Sequence, residues 1–551
     1  ENPQLWSCEL PQLYNAEVVV TADGMVVDSL TEQFGIRSLE FSPEFGFKLN
    51  KKKIFLQGNA NHHDLGALGS ASYDKAIERM MLQLKSFGYN CIRCSHNPYS
   101  DSFARIADRV GMLVVDELTD KWSDNDYWGG RQPFTHIWHK LITEWIKRDR
   151  NRPSIILWSL GNELQIREGW AGFEGTNDWG ITTYNIFNQL VKRWDHTRLT
   201  TVAMFPARAG AITRHDKEFN DYLVPPELAC ATEVASFNYQ SDKYDAYLKY
   251  QPDLILFQSE AETSNLLQPY YNMDRKRTVG MAYWGSAEYW GESNKWPKKG
   301  WNYSFFDHTM RPYPQAYLIK SAFMPEVPEV HIGVVDAAGM ESISWNDVIV
   351  GRMVLNECWN HIPGSRQSLF TFTNAHSVEL LVNGQSMGVQ QNDTTQANLR
   401  NMIYWKDVPY GNGGSVVAIA RDKSGKEVAR HRIETAGKAV ALRIEAETPT
   451  DWKADGMDLQ YINVTAIDKK GRPVWDYNEP LTLQMEGAAQ LVALDNGDHY
   501  TDELFHGITS KRMYQGRMQI ILRSTKIPSN VKLKISSADL KEKLSLKTSL
   551  K

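Results

Sequence analysis

Between Lys53 and about Phe323, short apolar, β-branched runs alternate with longer amphipathic stretches. This alternation is typical of repeated strand–helix units, in which each crossover helix covers a buried parallel sheet. Eight runs are assigned as strands: residues 54–58, 90–95, 112–117, 154–160, 199–205, 234–239, 254–260 and 278–285. Eight such units in about 270 residues predict an α/β fold, a (β/α)8 barrel.

A helix is predicted between the third and fourth runs, where apolar residues return at intervals of three and four. They are Trp138, Leu141, Ile142, Trp145 and Ile146. This spacing places them on one face of a helix, which packs on the sheet while the opposite face meets water.

The pattern changes after Pro325, where apolar and polar residues alternate and long helical stretches disappear. Residues 378–382 form an apolar run followed by Asn383-Gly384, a dipeptide typical of two-residue hairpin turns. A second block of this kind begins near Val440. Its clearest strands are residues 459–466 and 519–522. Short strands joined by tight turns predict two immunoglobulin-like β-sandwiches after the barrel.

The opening segment, through about Phe41, contains at most three strands, including residues 17–21 and a turn at Asp23-Gly24. Three strands of a sandwich leave one apolar face uncovered, so we expect a larger domain whose beginning is absent, and a chain that is a fragment. The predicted domains are the end of a truncated immunoglobulin-like sandwich, the barrel and two immunoglobulin-like sandwiches: residues 1–40, 41–327, 328–436 and 437–551.

Composition narrows the possible functions. Hydrophobic residues make up 42% and charged residues 23%, which are ordinary globular values. The formal net charge of −5, without a long Lys/Arg run, gives no support to a nucleic-acid partner. No apolar run reaches the roughly 18 residues that cross a bilayer, so no membrane partner is predicted either. The five scattered cysteines fit neither a disulfide framework nor a zinc spacing.

Two glutamates stand at the ends of predicted strands. The fourth strand is followed by Gly161-Asn162-Glu163, and the seventh ends in Ser259-Glu260. In a parallel barrel the C-terminal strand ends surround one mouth, so these carboxylates are expected to meet there. Hydrolysis of a glycosidic bond with retention needs two carboxyl groups about 5 to 5.5 Å apart, one protonated and one ionised.

Two further side chains suit this chemistry. Asn162 is placed to hydrogen-bond the hydroxyl next to the anomeric carbon, an interaction that strengthens in the transition state. Arg93, near the end of the second strand, is expected to keep Glu260 ionised.

Residues 148–163, which read RDRNRPSIILWSLGNE, resemble the acid/base signature of glycoside hydrolase family 2. Further similar motifs are GNANHHD at residues 58–64, IRCSHNP at 92–98, VDE at 115–117 and FNY at 237–239. The resemblance implies a retaining exo-β-glycosidase that needs no cofactor, with β-galactosidase favoured, a glycoside substrate and a homo-oligomer as an open option. It also favours a periplasmic or secreted location, which the sequence itself does not determine.

The resemblance also implies roles for single residues. Glu163 is then the general acid/base and Glu260 the nucleophile, with Tyr239 as its hydrogen-bond partner. The implied substrate-binding residues are His62, His63, Asp64, Arg93, His96, Asn162, Tyr239 and Trp284.

Several alternatives stay open. Glu262 has the same strand parity as Glu260 and is its rival as nucleophile. The histidines at 62, 63 and 96 suit sugar contacts, structural hydrogen bonds or metal ligation, and no metal is predicted because a sequence cannot show converging ligands.

Two other functions compete with a galactosidase. A β-glucuronidase of this family is expected to carry Asn-x-Lys after the eighth strand, and the nearest candidate, Asn302-Tyr303-Ser304, lacks the lysine. The alternative from another class is an inactive carbohydrate-binding protein, which has no need to keep both glutamates.

Overall fold

The structure is a computed structural model and describes residues 2–122, 133–164, 180–205, 225–293, 296–345 and 348–550. The chain forms two compact units. The first comprises Glu1–His63, Met81–Ser286 and Ile343–Val350, and the second comprises Asp64–Met80, Ala287–Ser342 and Gly351–Lys551.

The first unit opens with an antiparallel hairpin of β1 (Tyr14–Ala22) and β2 (Met25–Phe34). Its turn falls at Asp23-Gly24, as predicted, and both residues have positive φ, which suits the right-handed twist of a two-residue hairpin. A three-stranded antiparallel sheet follows, made of β3 (Leu39–Ser42), β4 (Gly46–Leu49) and β5 (Lys52–Ile54).

A closed barrel of eight parallel strands forms the centre of the first unit. Its strands are β6 (Leu56–Asn61), β7 (Cys91–Cys94), β8 (Leu113–Glu117), β9 (Ile155–Asn162), β10 (Leu199–Met204), β11 (Val234–Asn238), β12 (Leu256–Ala261) and β13 (Gly280–Trp284). Every residue of β9 and β12 is buried. One face of each barrel strand packs in the barrel interior, and the surrounding helices cover the other face. All eight predicted runs overlap these strands in order, so the predicted barrel is confirmed.

Helices lie between the strands. They are α1 (Asp74–Ser86), α2 (Asp101–Val110), α3 (Phe134–Asp149), α4 (Ile181–Trp194), α5 (Glu227–Ala231), α6 (Tyr244–Tyr250), α7 (Gln268–Asn272) and, in the second unit, α8 (Ala316–Phe323). The helix predicted from apolar spacing is α3, whose buried Trp145 donates from Nε1 to Asp116 Oδ2 at 2.6 Å. Within the described residues, no helix combines the length and hydropathy that a membrane crossing needs.

The second unit contains two β-sandwiches. A short pair, β14 (Tyr289–Trp290) and β15 (Gly300–Trp301), precedes them. The first sandwich has two four-stranded sheets that share one apolar core. One sheet contains β16 (Val330–Trp345), β17 (Val348–Asn356), β18 (Arg366–Thr373) and β21 (Met402–Pro409). The other contains β19 (Ser377–Val382), β20 (Gln385–Gln391), β22 (Ser415–Arg421) and β23 (Glu427–Glu434). The predicted hairpin at Asn383-Gly384 joins β19 to β20.

The second sandwich also has two four-stranded sheets. One contains β24 (Ala439–Ala446), β25 (Leu459–Asp468), β27 (Ala489–Asp495) and β29 (Arg517–Ser524), and the other β26 (Pro480–Glu486), β28 (Ser510–Arg512), β30 (Asn530–Ser537) and β31 (Leu540–Lys547). In β30, Val531, Leu533 and Ile535 are buried between exposed residues, because alternate side chains point to the core and to water. The predicted fold class, a barrel with β-sandwiches, is confirmed, while the domain boundaries stay predictions.

Candidate active site

Both predicted acids lie at the C-terminal ends of barrel strands. Glu163 directly follows β9, and Glu260 is the next-to-last residue of β12. Because all eight strands run parallel in one closed barrel, both side chains belong to the same mouth. Both are nearly buried, with 7% of Glu163 and 3% of Glu260 exposed.

Arg93, in β7, is the hub of a buried hydrogen-bond network. Its Nη1 donates to Glu260 Oε1 at 2.7 Å, and its Nε and Nη2 donate to Glu117 Oε2 at 3.0 and 2.8 Å. Nη2 also donates to Asn162 Oδ1 at 2.9 Å. A planar guanidinium carries five donors in a fixed fork, so it can serve several acceptors in set directions. Arg93 therefore positions Glu260 and also Asn162, the residue next to Glu163.

Glu260 is held from two sides. Arg93 occupies Oε1, and the hydroxyl of Tyr239 donates to Oε2. The positive charge of Arg93 complements an ionised carboxylate, and both contacts leave the Glu260 side chain little freedom to rotate.

Glu163 belongs to the same network through Asn238, at the end of β11. Asn238 Nδ2 donates to Glu163 Oε1 at 3.1 Å and to Asn162 Oδ1 at 3.0 Å. Ser259 Oγ donates to Asn238 Oδ1 at 2.7 Å and so fixes the orientation of the amide. A chain of hydrogen bonds thus runs from Glu163 through two asparagines and Arg93 to Glu260.

The backbone at the end of β9 explains the Gly-Asn-Glu sequence. A Cβ on Gly161 would lie 2.8 Å from Nε1 of Trp122, whose indole donates to Leu160 O, so only glycine fits beside this buried ring. Glu163 itself has φ of +50°, which costs an L-residue about 1 kcal/mol or more. Its amide donates to Ala203 O at 2.6 Å, a contact to the neighbouring strand that holds this conformation.

Charges in the network shift several pKa values. Burial raises the pKa of Glu117, but the nearby Arg93 charge and the hydrogen bond from His96 outweigh it and lower the pKa. Burial lowers the pKa of His96, but its 2.6 Å contact with Glu117 reverses this and raises it. Burial also opposes ionisation of Asp120, yet the charges of His96 and Lys121 lower its pKa to about 2. Glu117 and Asp120 are therefore ionised at neutral pH.

Aromatic rings line the same region. Trp284, at the end of β13, stacks on His96 with ring centroids 5.3 Å apart and planes 6° apart. His62 meets both rings edge-on, at 5.7 Å from His96 and 5.1 Å from Trp284. Such a group offers flat apolar faces with polar edges, the surface on which sugar rings stack.

Two further predicted residues, His63 and Asp64, contact residues outside the Arg93 network. His63 packs on the rings of Tyr99 and Phe103, at 4.5 and 6.2 Å between centroids. Asp64 belongs to the second compact unit, where it accepts hydrogen bonds from the backbone amides of Gly66 and Trp290.

Glu262, the rival of Glu260, directly precedes the short helical turn Thr263–Asn265. It accepts hydrogen bonds from Ser264 and Asn265, whereas Glu260 is bonded to Arg93. Burial raises the pKa of Glu262 to about 7, against these two hydrogen bonds. A raised pKa alone would favour Glu262 as an acid, but its partners separate it from the Arg93 network.

Sequence reasoning gave no role to Asn238 and Lys121. Lys121 Nζ donates to Asp120 Oδ1 at 2.7 Å and to the Asn162 carbonyl at 3.1 Å. Asn238 stands at a strand end beside Glu260 in the sheet register, a position that strand pairing would have shown. No comparable local signal exists for Lys121.

Removing Arg93 is expected to destabilise the barrel. In Arg93→Met, the fully buried Glu117 keeps its contact with His96 but loses the guanidinium, and Glu260 loses the same cation. We therefore expect the free energy of unfolding to fall by about 3–5 kcal/mol. Denaturant unfolding followed by tryptophan fluorescence measures this. The control is Arg105→Met, which breaks a half-exposed pair with Asp101 and should cost less than about 1 kcal/mol. Equal losses would show that the buried network does not stabilise the barrel.

His96 should make stability depend on pH. Its pKa in the folded protein is raised above 6.5, so its contribution is fully present below about pH 6.5 and is lost as pH rises through the raised pKa. Urea midpoints measured from pH 6 to pH 9 should therefore decline, and less steeply in His96→Gln. The control is His196→Gln at an exposed position. An unchanged slope in His96→Gln would contradict this linkage.

Family models match much of the chain. One for the TIM barrel domain of glycosyl hydrolases family 2 matches residues 44–279. Two more, for glycosyl hydrolases family 2 and for glycoside hydrolase family 2 C-terminal domain 5, match residues 1–37 and 442–544. The chain belongs to glycoside hydrolase family 2. A domain of unknown function also matches residues 364–429. The predicted family and its hydrolase class are confirmed.

Family 2 relatives carry two kinds of name. A β-galactosidase of Bacteroides ovatus, BoGH2A, is 27% identical over 98% of this chain and 67% of its own length. A putative β-glucuronidase of Formosa agariphila is 27% identical over 96% of this chain and 51% of its own length. A solved structure of a family 2 member from Bacteroides cellulosilyticus is 28% identical, with a TM-score of 0.88, over 99% of this chain and 69% of its own. Both enzyme names agree with the predicted β-glycosidase class, while the chain spans about half to two thirds of these curated relatives.

Proposed function

We propose that this family 2 member is a retaining exo-β-glycosidase that acts on β-galactosides, with Glu260 as nucleophile and Glu163 as acid/base. The observation that carries the proposal is the network in which Arg93 binds Glu260 and Asn238 binds Glu163. Two carboxyl groups at one barrel mouth, with different surroundings, are what double displacement requires.

Two hydrogen bonds position the proposed nucleophile. Glu260 accepts them from a guanidinium and a phenol, which hold both of its oxygens in place. Glu163 accepts a hydrogen bond from the amide of Asn238, and as acid/base it would give up and regain one proton in each reaction cycle. The contact with Arg93 supports Glu260 as the nucleophile.

The reaction then proceeds in two steps. A Glu260 oxygen attacks the anomeric carbon, the glycosidic C–O bond breaks, and Glu163 gives its proton to the departing oxygen. In the second step Glu163 takes a proton from water, which attacks the same carbon and releases Glu260. Two inversions give net retention. Asn162, fixed by Arg93 and Asn238, is placed to bind the neighbouring sugar hydroxyl.

The proposal of a neutral sugar rests on the pairing of the Arg93 and Lys121 cations with carboxylates. A glucuronide carboxylate needs a free cationic partner, but among the described residues of this network Arg93 is bonded to Glu117 and Glu260, and Lys121 to Asp120. Binding a uronate would require one of these pairs to break. Family 2 relatives named β-glucuronidase keep that substrate as the competing proposal.

A panel of p-nitrophenyl β-glycosides tests the assignment. The full chain is assayed with the galactoside, glucoside and glucuronide, and kcat/KM is compared. We expect the galactoside to be turned over fastest, and proton NMR of the first product to show the β-anomer. A preference for the glucuronide would replace the sugar assignment, and an α-anomer would refute retention. Binding of galactose without turnover of any glycoside would favour the inactive carbohydrate-binding protein.

A further inference from the structure

Three side chains of the second unit converge on one point. Glu288, His308 and His499 each offer a ligand atom, and these atoms all lie within 4.8 Å of one another. They are buried, with 3–4% of each residue exposed. They take no part in the Arg93 network, and their wide separation in the chain leaves no motif that a sequence could reveal.

Two imidazole nitrogens lie close to Glu288 Oε2. This oxygen lies 3.2 Å from His308 Nδ1 and 2.9 Å from His499 Nε2. His308 Nε2 lies 2.8 Å from Asp495 Oδ1 and so carries its proton toward that carboxylate. If the ring is neutral, its Nδ1 lone pair faces Glu288 and needs a cation there, whereas a doubly protonated ring donates to Glu288 directly.

His499 supplies an independent indication of a ligand. Only 3% of His499 is exposed. Among the described residues, neither of its ring nitrogens has a partner with acceptable hydrogen-bond geometry. Leaving a buried ring nitrogen without a hydrogen bond costs about 1–3 kcal/mol. Its Nε2 is near Glu288 without bonding it, which is how two ligands of one ion are arranged.

We propose that Glu288, His308 and His499 bind a divalent transition-metal ion, with zinc the best match. Tetrahedral zinc with bonds of about 2.0–2.1 Å keeps its ligands roughly 3.3 Å apart, close to the 2.9 and 3.2 Å found here. Two histidines and one glutamate form a ligand set that zinc uses. A cavity of about 20 Å³, lined in part by Glu288 and His308, has room for a water molecule as fourth ligand.

Surrounding residues hold the ligands in place. Asp495 accepts from His308, giving the carboxylate–histidine–metal arrangement that fixes a ring's tautomer. Tyr313 donates to Glu288 Oε1 at 2.7 Å, so that Oε2 is the oxygen turned to the histidines. Trp290 stacks on His499 with centroids 5.0 Å apart and restricts its ring.

A second cluster in the same unit differs in the orientation of its rings. His331, Glu357 and His431 are also close together, but the two imidazoles are stacked, with centroids 3.9 Å apart and planes 24° apart. Lone pairs of stacked rings run side by side and do not converge on one ion. In contrast, the rings of His308 and His499 are inclined by 56°. His331 is therefore a matched control.

Metal content tests the proposal. The full chain is produced with added zinc sulfate, dialysed against metal-free buffer, and analysed for zinc by plasma mass spectrometry. We expect about one zinc per chain in the wild type and in His331→Gln, and a loss of about tenfold or more in His499→Gln. His499→Gln is chosen because it removes a ring that makes no hydrogen bond of good geometry.

Cobalt gives a readout that needs no variant. Cobalt(II) chloride added to metal-free wild type should produce the intense visible absorption of a tetrahedral site, and added zinc should abolish it. Absence of both zinc and the cobalt band in the wild type would overturn the proposal and leave a proton as the cation between Glu288 and His308. Equal zinc loss in His331→Gln and His499→Gln would also overturn it.

Discussion

Glu260→Ala is expected to lower kcat/KM for an aryl β-glycoside by about 10⁴-fold or more, because the attacking carboxylate is gone. Arg93 and Tyr239 then lose the acceptor they share, and no described side chain of the network takes its place on that face of the sugar. Steady-state release of nitrophenol measures the loss.

Sodium azide should restore turnover of Glu260→Ala with inverted stereochemistry. The small anion enters the space left by the carboxylate and attacks the anomeric carbon from the same face, while Glu163 still protonates the leaving group. A single displacement gives the α-glycosyl azide, which proton NMR identifies. A β-glycosyl azide from this variant would mean that the roles of the two glutamates are reversed.

Glu262→Gln is the matched control for this experiment. It changes a carboxylate two positions further along, whose partners are Ser264 and Asn265. We expect kcat/KM to stay within about threefold of wild type, since surface and loop changes away from the reacting atoms have small effects. A large loss here, with an active Glu260→Ala, would make Glu262 the nucleophile.

Glu163→Ala should lose activity in proportion to how much the leaving group needs a proton. For a disaccharide we expect kcat/KM to fall by about 10²–10⁴-fold, the usual contribution of general acid catalysis. For a dinitrophenyl glycoside the first step should be nearly unchanged. The glycosyl-enzyme then accumulates, because water lacks its base, and stopped-flow absorbance should show a burst.

The configuration of the azide product distinguishes Glu163→Ala from Glu260→Ala. It attacks the accumulated glycosyl-enzyme at Glu260 from the opposite face, so the product is the β-glycosyl azide with net retention. The two variants together should give azides of opposite configuration. Equal losses for both leaving groups in Glu163→Ala, without a burst, would argue that Glu163 positions substrate and transfers no proton.

Much of the fold could be predicted because its signals are local. Buried parallel strands have continuous apolar runs, and covering helices repeat apolar residues every three to four positions, as α3 does with Trp145 and Ile146. Strand ends then identify the mouth of a barrel, which is why Glu163 and Glu260 stand out before any coordinates are known. Local patterns do not fix how strands align, so the run predicted at 54–58 lies in the structure at Leu56–Asn61.

The sequence by itself determined the barrel, the sandwiches, the family and which strand ends carry carboxylates, because each depends on neighbours in the chain. Only the tertiary structure decided which distant side chains are in contact. Asn238 and Glu163 are 75 positions apart, and His308 and Asp495 are 187 apart. Side-chain charge acts through space and has no period in sequence, so the hydrogen bond from Asn238 to Glu163 and the cluster at Glu288 became visible only when the chain was folded.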